Sequence, residues 1–239
     1  MNGAADTPPG PSAGAPLGEP LGIFGGTFDP VHVGHLRTGY ELMRALGLPE
    51  LRWIPAGDPA HRGSPRAPAA LRLEMLRAAT AGQPGFVVDD REIRRAGASY
   101  TIDTLVELRV AYPARPLCLL LGMDAFAGLP TWRRWTEIPD LAHLVVAYRP
   151  GAARSLPPEL AELLAERAVD GTAALRHSLA GRIYLHRVTP LEVSSSALRD
   201  LLREGGDPRY LVTDGVRSII MQTGCYARSE SRKPAVATE

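Results

Sequence analysis

The chain has 239 residues, 45% of them hydrophobic and 22% charged, which is enough apolar material for a full buried core. Its 27 basic and 26 acidic residues leave a formal charge of +1, which gives no sign of the strongly basic face of a nucleic-acid binder and leaves any anion to be held locally. Two distant cysteines, Cys118 and Cys225, speak against a disulfide scaffold or a cysteine-based metal cluster, and the single lysine, Lys233, against P-loop or Schiff-base chemistry.

In chain order, residues 1–19 hold too little apolar bulk to fold and form an expected disordered leader; they lack the charged-then-apolar pattern of a signal peptide. A strand over 20–25 precedes a helix over 33–47 that puts Leu36, Tyr40, Met43 and Leu46 on one face and stops at Gly47 and Pro49. A second strand, 51–56, leads into a Pro-rich loop, 57–68, carrying His61 and Arg62, and then a helix over 69–81. Residues 86–89 form a third strand, 90–99 a charged loop, and 101–111 a helix with Ile102, Leu105 and Val106 at helical spacing. The apolar run 117–121 ends in Gly122 and suits a central parallel strand covered on both faces, with Asp124 just past its carboxyl end. A segment with Trp132, Arg133 and Trp135 leads to a strand over 143–148. Residues 150–181 contain an amphipathic helix (Leu160, Leu163, Leu164, Ala168) without readable chemistry. A strand over 183–188, the cluster Ser194-Ser195-Ser196, a helix with Leu198, Leu201 and Leu202 inward, a last helix over 213–222 and a loose tail over 227–239 complete the chain.

Strands alternate with helices and nothing repeats, which predicts one α/β domain over 20–226: a Rossmann-like, doubly wound parallel sheet in three layers, α/β/α. Ligands of such sheets bind beyond the carboxyl ends of the strands. Gly25-Gly26, Gly122 with Asp124, and the serine cluster all lie just after a strand. No apolar run is long enough for a membrane span, and a reducing cytoplasm fits the cysteine usage. Oligomeric state is not legible.

The stretch Gly25-Gly26-Thr27-Phe28-Asp29-Pro30-Val31-His32-Val33-Gly34-His35 has the make-up of a phosphate site. Glycines admit close approach to the backbone, a helix start offers unpaired N–H groups, and His32 and His35 fall on one face of its first turn. A tight turn with solvated histidines is the plainer alternative. A zinc site is disfavoured because no third ligand follows at a suitable spacing. Further along, Val193-Ser194-Ser195-Ser196-Ala197-Leu198-Arg199 exceeds what one N-cap serine needs, and Arg199 can reach back to the helix start, which makes a second anion site.

Both stretches resemble known signatures. The first is similar to the motif of the nucleotidyltransferase superfamily named for its His-x-Gly-His pattern, and the second to that superfamily's I-S-S-T-x-I-R, with the hydroxyls and arginine kept. Pro59-Ala60-His61-Arg62 resembles the P-P-H-K loop of bacterial nicotinate mononucleotide adenylyltransferases, with Ala60 and Arg62 as departures. Ser99-Tyr100-Thr101-x-x-Thr104, Gly122-Met123-Asp124 and Thr131-Trp132 fit the same family, so the likeness spans about 21–226.

That resemblance implies transfer of AMP from ATP to nicotinate mononucleotide in NAD biosynthesis. It assigns His32, His35 and Arg199 to catalysis. It gives ATP binding to Gly25, Gly26, Thr27, Phe28, His32, His35, Gly122, Asp124, Ser195, Ser196 and Arg199. His61, Arg62, Thr101 and Trp132 would bind the acceptor, with Tyr100 and Thr104 serving packing and capping. Mg²⁺ would arrive on the ATP, with no metal site of the protein's own and no nucleic-acid or membrane partner. Transfer to nicotinamide mononucleotide or phosphopantetheine, or adenylate binding without turnover, are the alternatives.

Overall fold

The computed structural model describes residues 17–59, 64–149 and 156–228. Among them seven strands form one sheet in the order β3-β2-β1-β4-β5-β7-β6, every neighbouring pair parallel. The strands are β1 (Leu21–Gly26), β2 (Glu50–Pro55), β3 (Phe86–Val88), β4 (Leu117–Gly122), β5 (His143–Tyr148), β6 (Ala168–Val169) and β7 (Ile183–Arg187). The helices are α1 (Val33–Leu46), α2 (Ala69–Thr80), α3 (Arg91–Arg94), α4 (Thr101–Ala111), α5 (Met123–Ala127), α6 (Ile138–Leu141), α7 (Pro158–Arg167), α8 (Ser195–Arg203) and α9 (Asp214–Thr223).

Strand alternation sends side chains to both faces of this doubly wound sheet. Cys118 and Leu120 of β4 face a core built with Leu42 and Leu46 of α1, Met75 and Leu76 of α2, Leu198 and Leu202 of α8, and Val216 and Ile220 of α9. Leu117, Leu119 and Leu121 face the other core, with Ile102, Leu105 and Leu108 of α4, Phe126 of α5, Ile138 of α6 and Leu160 of α7. Those are the three expected layers.

Local rules set the ends of helices. Ser194 caps α8 by accepting from the Ala197 N–H, Thr213 caps α9 through Val216, and Gly47 ends α1 in a left-handed turn. Several faces differ from expectation. Tyr40 is exposed, and α1 buries Gly39 and Leu42 alongside the expected Leu46, with Leu36 and Met43 half-buried against the same core; Gly39 is there because a Cβ would strike Trp53 at 2.6 Å. In α4 the buried third position is Leu108, and Val106 is exposed, while Leu201 in α8 is only half-buried. The charged loop contains α3, and Ala168 ends in an edge strand. The chain is tied down before residue 20: the Gly18 N–H donates to Ala114 O at 2.9 Å. The rest of the expected leader and most of the expected tail lie outside the described residues. No described helix is long and apolar enough to cross a membrane.

Candidate active site

The sheet opens where its winding reverses. β1 stays paired with β2 as far as Gly26↔Pro55 and β4 with β5 as far as Gly122↔Ala147, yet β1 and β4 pair only from Leu21↔Leu117 to Ile23↔Leu119. The two central strands therefore part over their last residues, which is the switch-point crevice of doubly wound sheets. Gly25 and Gly122 form its lips. A Cβ at either would meet nothing within 4 Å, and neither has a positive φ, so neither packing nor backbone geometry accounts for these glycines. Gly26 is different: a Cβ there would lie 2.9 Å from the Phe28 ring, so this glycine serves the core.

After β1 the chain turns through Phe28, whose backbone is left-handed at φ 49°, and a cis Asp29-Pro30 bond into α1. The Phe28 side chain points inward against Trp53 and the edge of the His35 ring, at centroid distances of 5.8 and 5.2 Å. Any ligand contact from Phe28 is thus left to its backbone. His32 and His35 stack with ring centroids 3.7 Å apart. Nδ1 of His35 accepts from the His32 backbone N–H at 3.3 Å, which in the neutral ring puts the proton on Nε2. Gly34 leaves room for this pair, since a Cβ would come within 2.8 Å of Val193 and 3.1 Å of the His32 ring.

His32 is buried, and its Nδ1 leans over the start of α1 without completing a hydrogen bond. Burial first, and the nearby Arg149 guanidinium second, lower its pKa from 6.5 to about 4. The ring is therefore neutral at physiological pH. Because the folded value is depressed, the unfolded chain binds more protons between these two values; the contribution to stability is full above pH 6.5 and is lost as pH falls towards 4.

The inner side of the loop is pinned from four directions. Asp29, 5% exposed, accepts from the N–H groups of Arg66 (2.8 Å) and Ala67 (3.1 Å) and from the Tyr226 hydroxyl (2.7 Å). Burial and Asp29 itself raise the Tyr226 pKa, which keeps that phenol a donor. Arg199 donates to Asp29 O at 2.7 Å and to Ser196 Oγ at 3.0 Å, and Ser195 Oγ donates to Pro30 O at 2.9 Å. So α8 joins the first motif, as expected of a shared site, but the Ser195 hydroxyl proton is spent on Pro30; its backbone N–H and the Ser196 hydroxyl are what remain for an anion. Arg72, 1% exposed, donates to Thr27 O (2.7 Å), Gly57 O (3.0 Å) and Ala67 O (3.2 Å), so one guanidinium fixes the loops after both β1 and β2.

Of the remaining expected residues, Asp124 is exposed in the first turn of α5, beyond β4. Thr101 opens α4, and Trp132 lies half-buried against the same core face as Tyr100 and Met123. Arg133 stacks 4.7 Å from the Tyr100 ring centroid. Thr104 is occupied, donating to Glu92 at 2.7 Å, and Ser99 Oγ accepts from the Gly57 and Asp58 N–H groups. Burial raises the Glu92 pKa against the opposing pull of Thr104. His61 and Arg62 lie outside the described residues.

Sequence reasoning missed Arg72, Arg149 and Tyr226. Arg149 follows the carboxyl end of β5, so the strand-end rule that singled out Asp124 was enough to find it. Arg72 and Tyr226 left no local signal, because their partners are 45 and 197 residues away. Among the described residues no three of His, Cys, Asp and Glu gather as a metal site. The site as built can hold phosphates on N–H groups, imidazole N–H groups and guanidinium forks; among the described residues it presents no serine or cysteine paired with a base.

The profile of the family described as Cytidylyltransferase-like matches residues 23–201. The chain is 50% identical over 210 residues to a probable nicotinate-nucleotide adenylyltransferase of Aeromonas hydrophila, covering 88% of this chain and 98% of the relative. It is 46% identical over 206 residues to one of Halorhodospira halophila, covering 86% and 94%. In fold it is similar to a Plasmodium falciparum nicotinic acid mononucleotide adenylyltransferase solved with NaAD, at a TM-score of 0.68 and 14% identity over 87% of this chain and 98% of that one.

Proposed function

We propose that this chain, which belongs to the cytidylyltransferase-like nucleotidyltransferases and within them to the nicotinate-nucleotide adenylyltransferase family, transfers the AMP unit of ATP to the phosphate of nicotinate mononucleotide and releases pyrophosphate. Nucleotidyl transfer to a pyridine mononucleotide goes with the family; the preference for the acid over the amide is the proposal. The observation that carries it is the crevice between β1 and β4, lipped by two glycines that nothing in the protein requires and followed by the stacked histidines.

The acceptor phosphate is already ionised, so no general base or covalent intermediate is needed. Catalysis reduces to in-line positioning and to stabilising charge as it builds on the α-phosphate and the leaving pyrophosphate. His35, its proton held on Nε2, donates to the α-phosphate, and neutral His32 donates beside it. Gly25, Gly26 and Thr27 bring N–H groups close. The start of α8, Ser196 and the remaining donors of Arg199 take the β- and γ-phosphates, and Arg149 adds positive charge near His32. Asp124 binds the ATP ribose. Trp132 stacks on the pyridine ring, Thr101 binds its carboxylate, and His61 and Arg62 meet the acceptor phosphate. Mg²⁺ enters as part of the MgATP substrate, held by phosphate and water.

The test is pyrophosphate release from MgATP with nicotinate or nicotinamide mononucleotide in turn. The proposal expects release with the acid and a much lower kcat/KM with the amide. Equal or reversed preference overturns the substrate assignment, and no release with either overturns the reaction.

A further inference from the structure

Glu92 is a buried carboxylate on the four-residue helix α3, and its contacts run along the side of the site proposed for the acceptor. It accepts from Thr104 Oγ1 at 2.7 Å and from the Ser99 hydroxyl. Ser99 Oγ in turn accepts from the N–H groups of Gly57 (3.1 Å) and Asp58 (3.3 Å), and the Ser99 N–H donates to Asp58 O at 2.7 Å. On the far side, both terminal nitrogens of Arg95 donate to Thr104 Oγ1 at 3.3 Å, and Arg95 pairs with exposed Glu107 at 2.6 Å. Gly57 has no room for a side chain, because a Cβ would lie 2.3 Å from the Glu92 carbonyl oxygen.

The direction of each bond follows from the carboxylate. Ionised, Glu92 only accepts, so the Ser99 and Thr104 protons both point at it. The Ser99 lone pairs are then left for Gly57 and Asp58, and those of Thr104 for Arg95. Ser99 and Thr104 bracket the start of α4. Between them lie Thr101 and Tyr100, whose ring carries the Arg133 guanidinium at 4.7 Å, and Arg133 is the neighbour of Trp132. Glu92 therefore ties the end of β2, the start of α4 and, through Tyr100, the Trp132 segment into one network. A well-packed apolar side chain would hold α3 with less desolvation than a buried carboxylate; what it lacks is direction.

We propose that Glu92 is a positioning residue for the acceptor nucleotide: through Ser99 and Thr104 it sets the start of α4 so that Thr101 and Trp132 meet the pyridine ring together. Glu92 itself touches neither substrate. This rests on the proposed reaction for the identity of the acceptor.

Glu92→Gln, Ser99→Ala and the double variant test it in the full chain. Glutamine keeps the shape but brings an amide donor against the Ser99 or Thr104 proton. Calorimetric titration with nicotinate mononucleotide and, separately, with MgATP gives the affinities, and amide hydrogen exchange at Gly57 and Asp58 reports on the network without any ligand. For Glu92→Gln the expected result is a Kd for the mononucleotide weakened about tenfold, MgATP within about twofold, and faster exchange at both amides. Ser99→Ala should do the same, and the double variant should be no worse than the weaker-binding single one, since both changes break one linkage. Thr104→Val, which takes one donor from the same carboxylate, replaces Glu92→Gln if that variant does not fold, and Thr104→Ser, which keeps the hydroxyl, should bind as the wild type does. An equal loss for both ligands, losses that add in the double variant, or unchanged mononucleotide affinity overturns the proposal. Weakened mononucleotide binding with faster exchange, in a protein whose wild type releases no pyrophosphate from ATP, would instead overturn the proposed reaction and leave the role of Glu92 standing.

Discussion

Two buried histidines sit at opposite ends of the sheet and differ in one respect. His143, at the amino end of β5, has both ring nitrogens bonded: Nδ1 accepts from the Arg182 N–H at 3.0 Å and Nε2 meets Ser178 O at 2.9 Å. His32, beyond the carboxyl end of β1, leaves its buried Nδ1 without a completed hydrogen bond. Burial lowers both pKa values, so desolvation alone does not separate them. Their neighbours repeat the contrast. At the amino end Arg109 is consumed by the carbonyls of Tyr112, Arg115, Leu141 and Leu179. At the carboxyl end Arg72 and Asp29 saturate the inner side of the loop, while Gly25 and Gly122 leave its outer side open. Buried polar groups are normally satisfied, so the unmatched Nδ1 of His32 beside open glycine lips fits a site that a ligand completes.

The sharpest way to break this comparison is to remove one histidine from each end. His35→Ala should lower kcat by about 10² to 10³, because it deletes a donor to developing charge, at a smaller cost in stability, because only the His32 N–H loses its partner. His143→Ala should do the reverse, costing about 2–4 kcal/mol of folding free energy through a cavity and two orphaned backbone groups, with kcat of the folded protein kept. Steady-state kinetics and urea unfolding on the same samples check both, and an exchange of the two outcomes sinks the contrast.

A smaller effect separates the glycines. Gly25→Ala and Gly122→Ala should leave stability within about 1 kcal/mol, since the added methyl meets no protein atom, yet raise the KM for ATP several-fold. Gly34→Ala should instead destabilise, because its methyl meets Val193 and the His32 ring. Unchanged ATP affinity in the first two would mean that nothing approaches those lips.

Most of the sheet was legible because parallel strands buried on both faces are short apolar runs, and 117–121 and 143–148 are just that. The loop motif was legible because its glycines, histidines and helix start are contiguous. What escaped depends on contacts between distant parts. Trp53 decides that α1 needs Gly39 rather than Tyr40 on its inner face, and Pro30 decides where the Ser195 hydroxyl goes. Arg72 resembles any helix-surface arginine until three carbonyls from two loops are seen around it. Two-residue β6 and four-residue α3 are too short to carry a period at all.

The most direct test of the account is nitrogen NMR of the histidine rings during titration with a non-hydrolysable ATP analogue and Mg²⁺. The His32 and His35 ring signals should shift with saturation while His143 stays fixed. A shift of His143, or bound nucleotide with His32 and His35 unmoved, would contradict the claim that the incomplete end of the sheet is the working one.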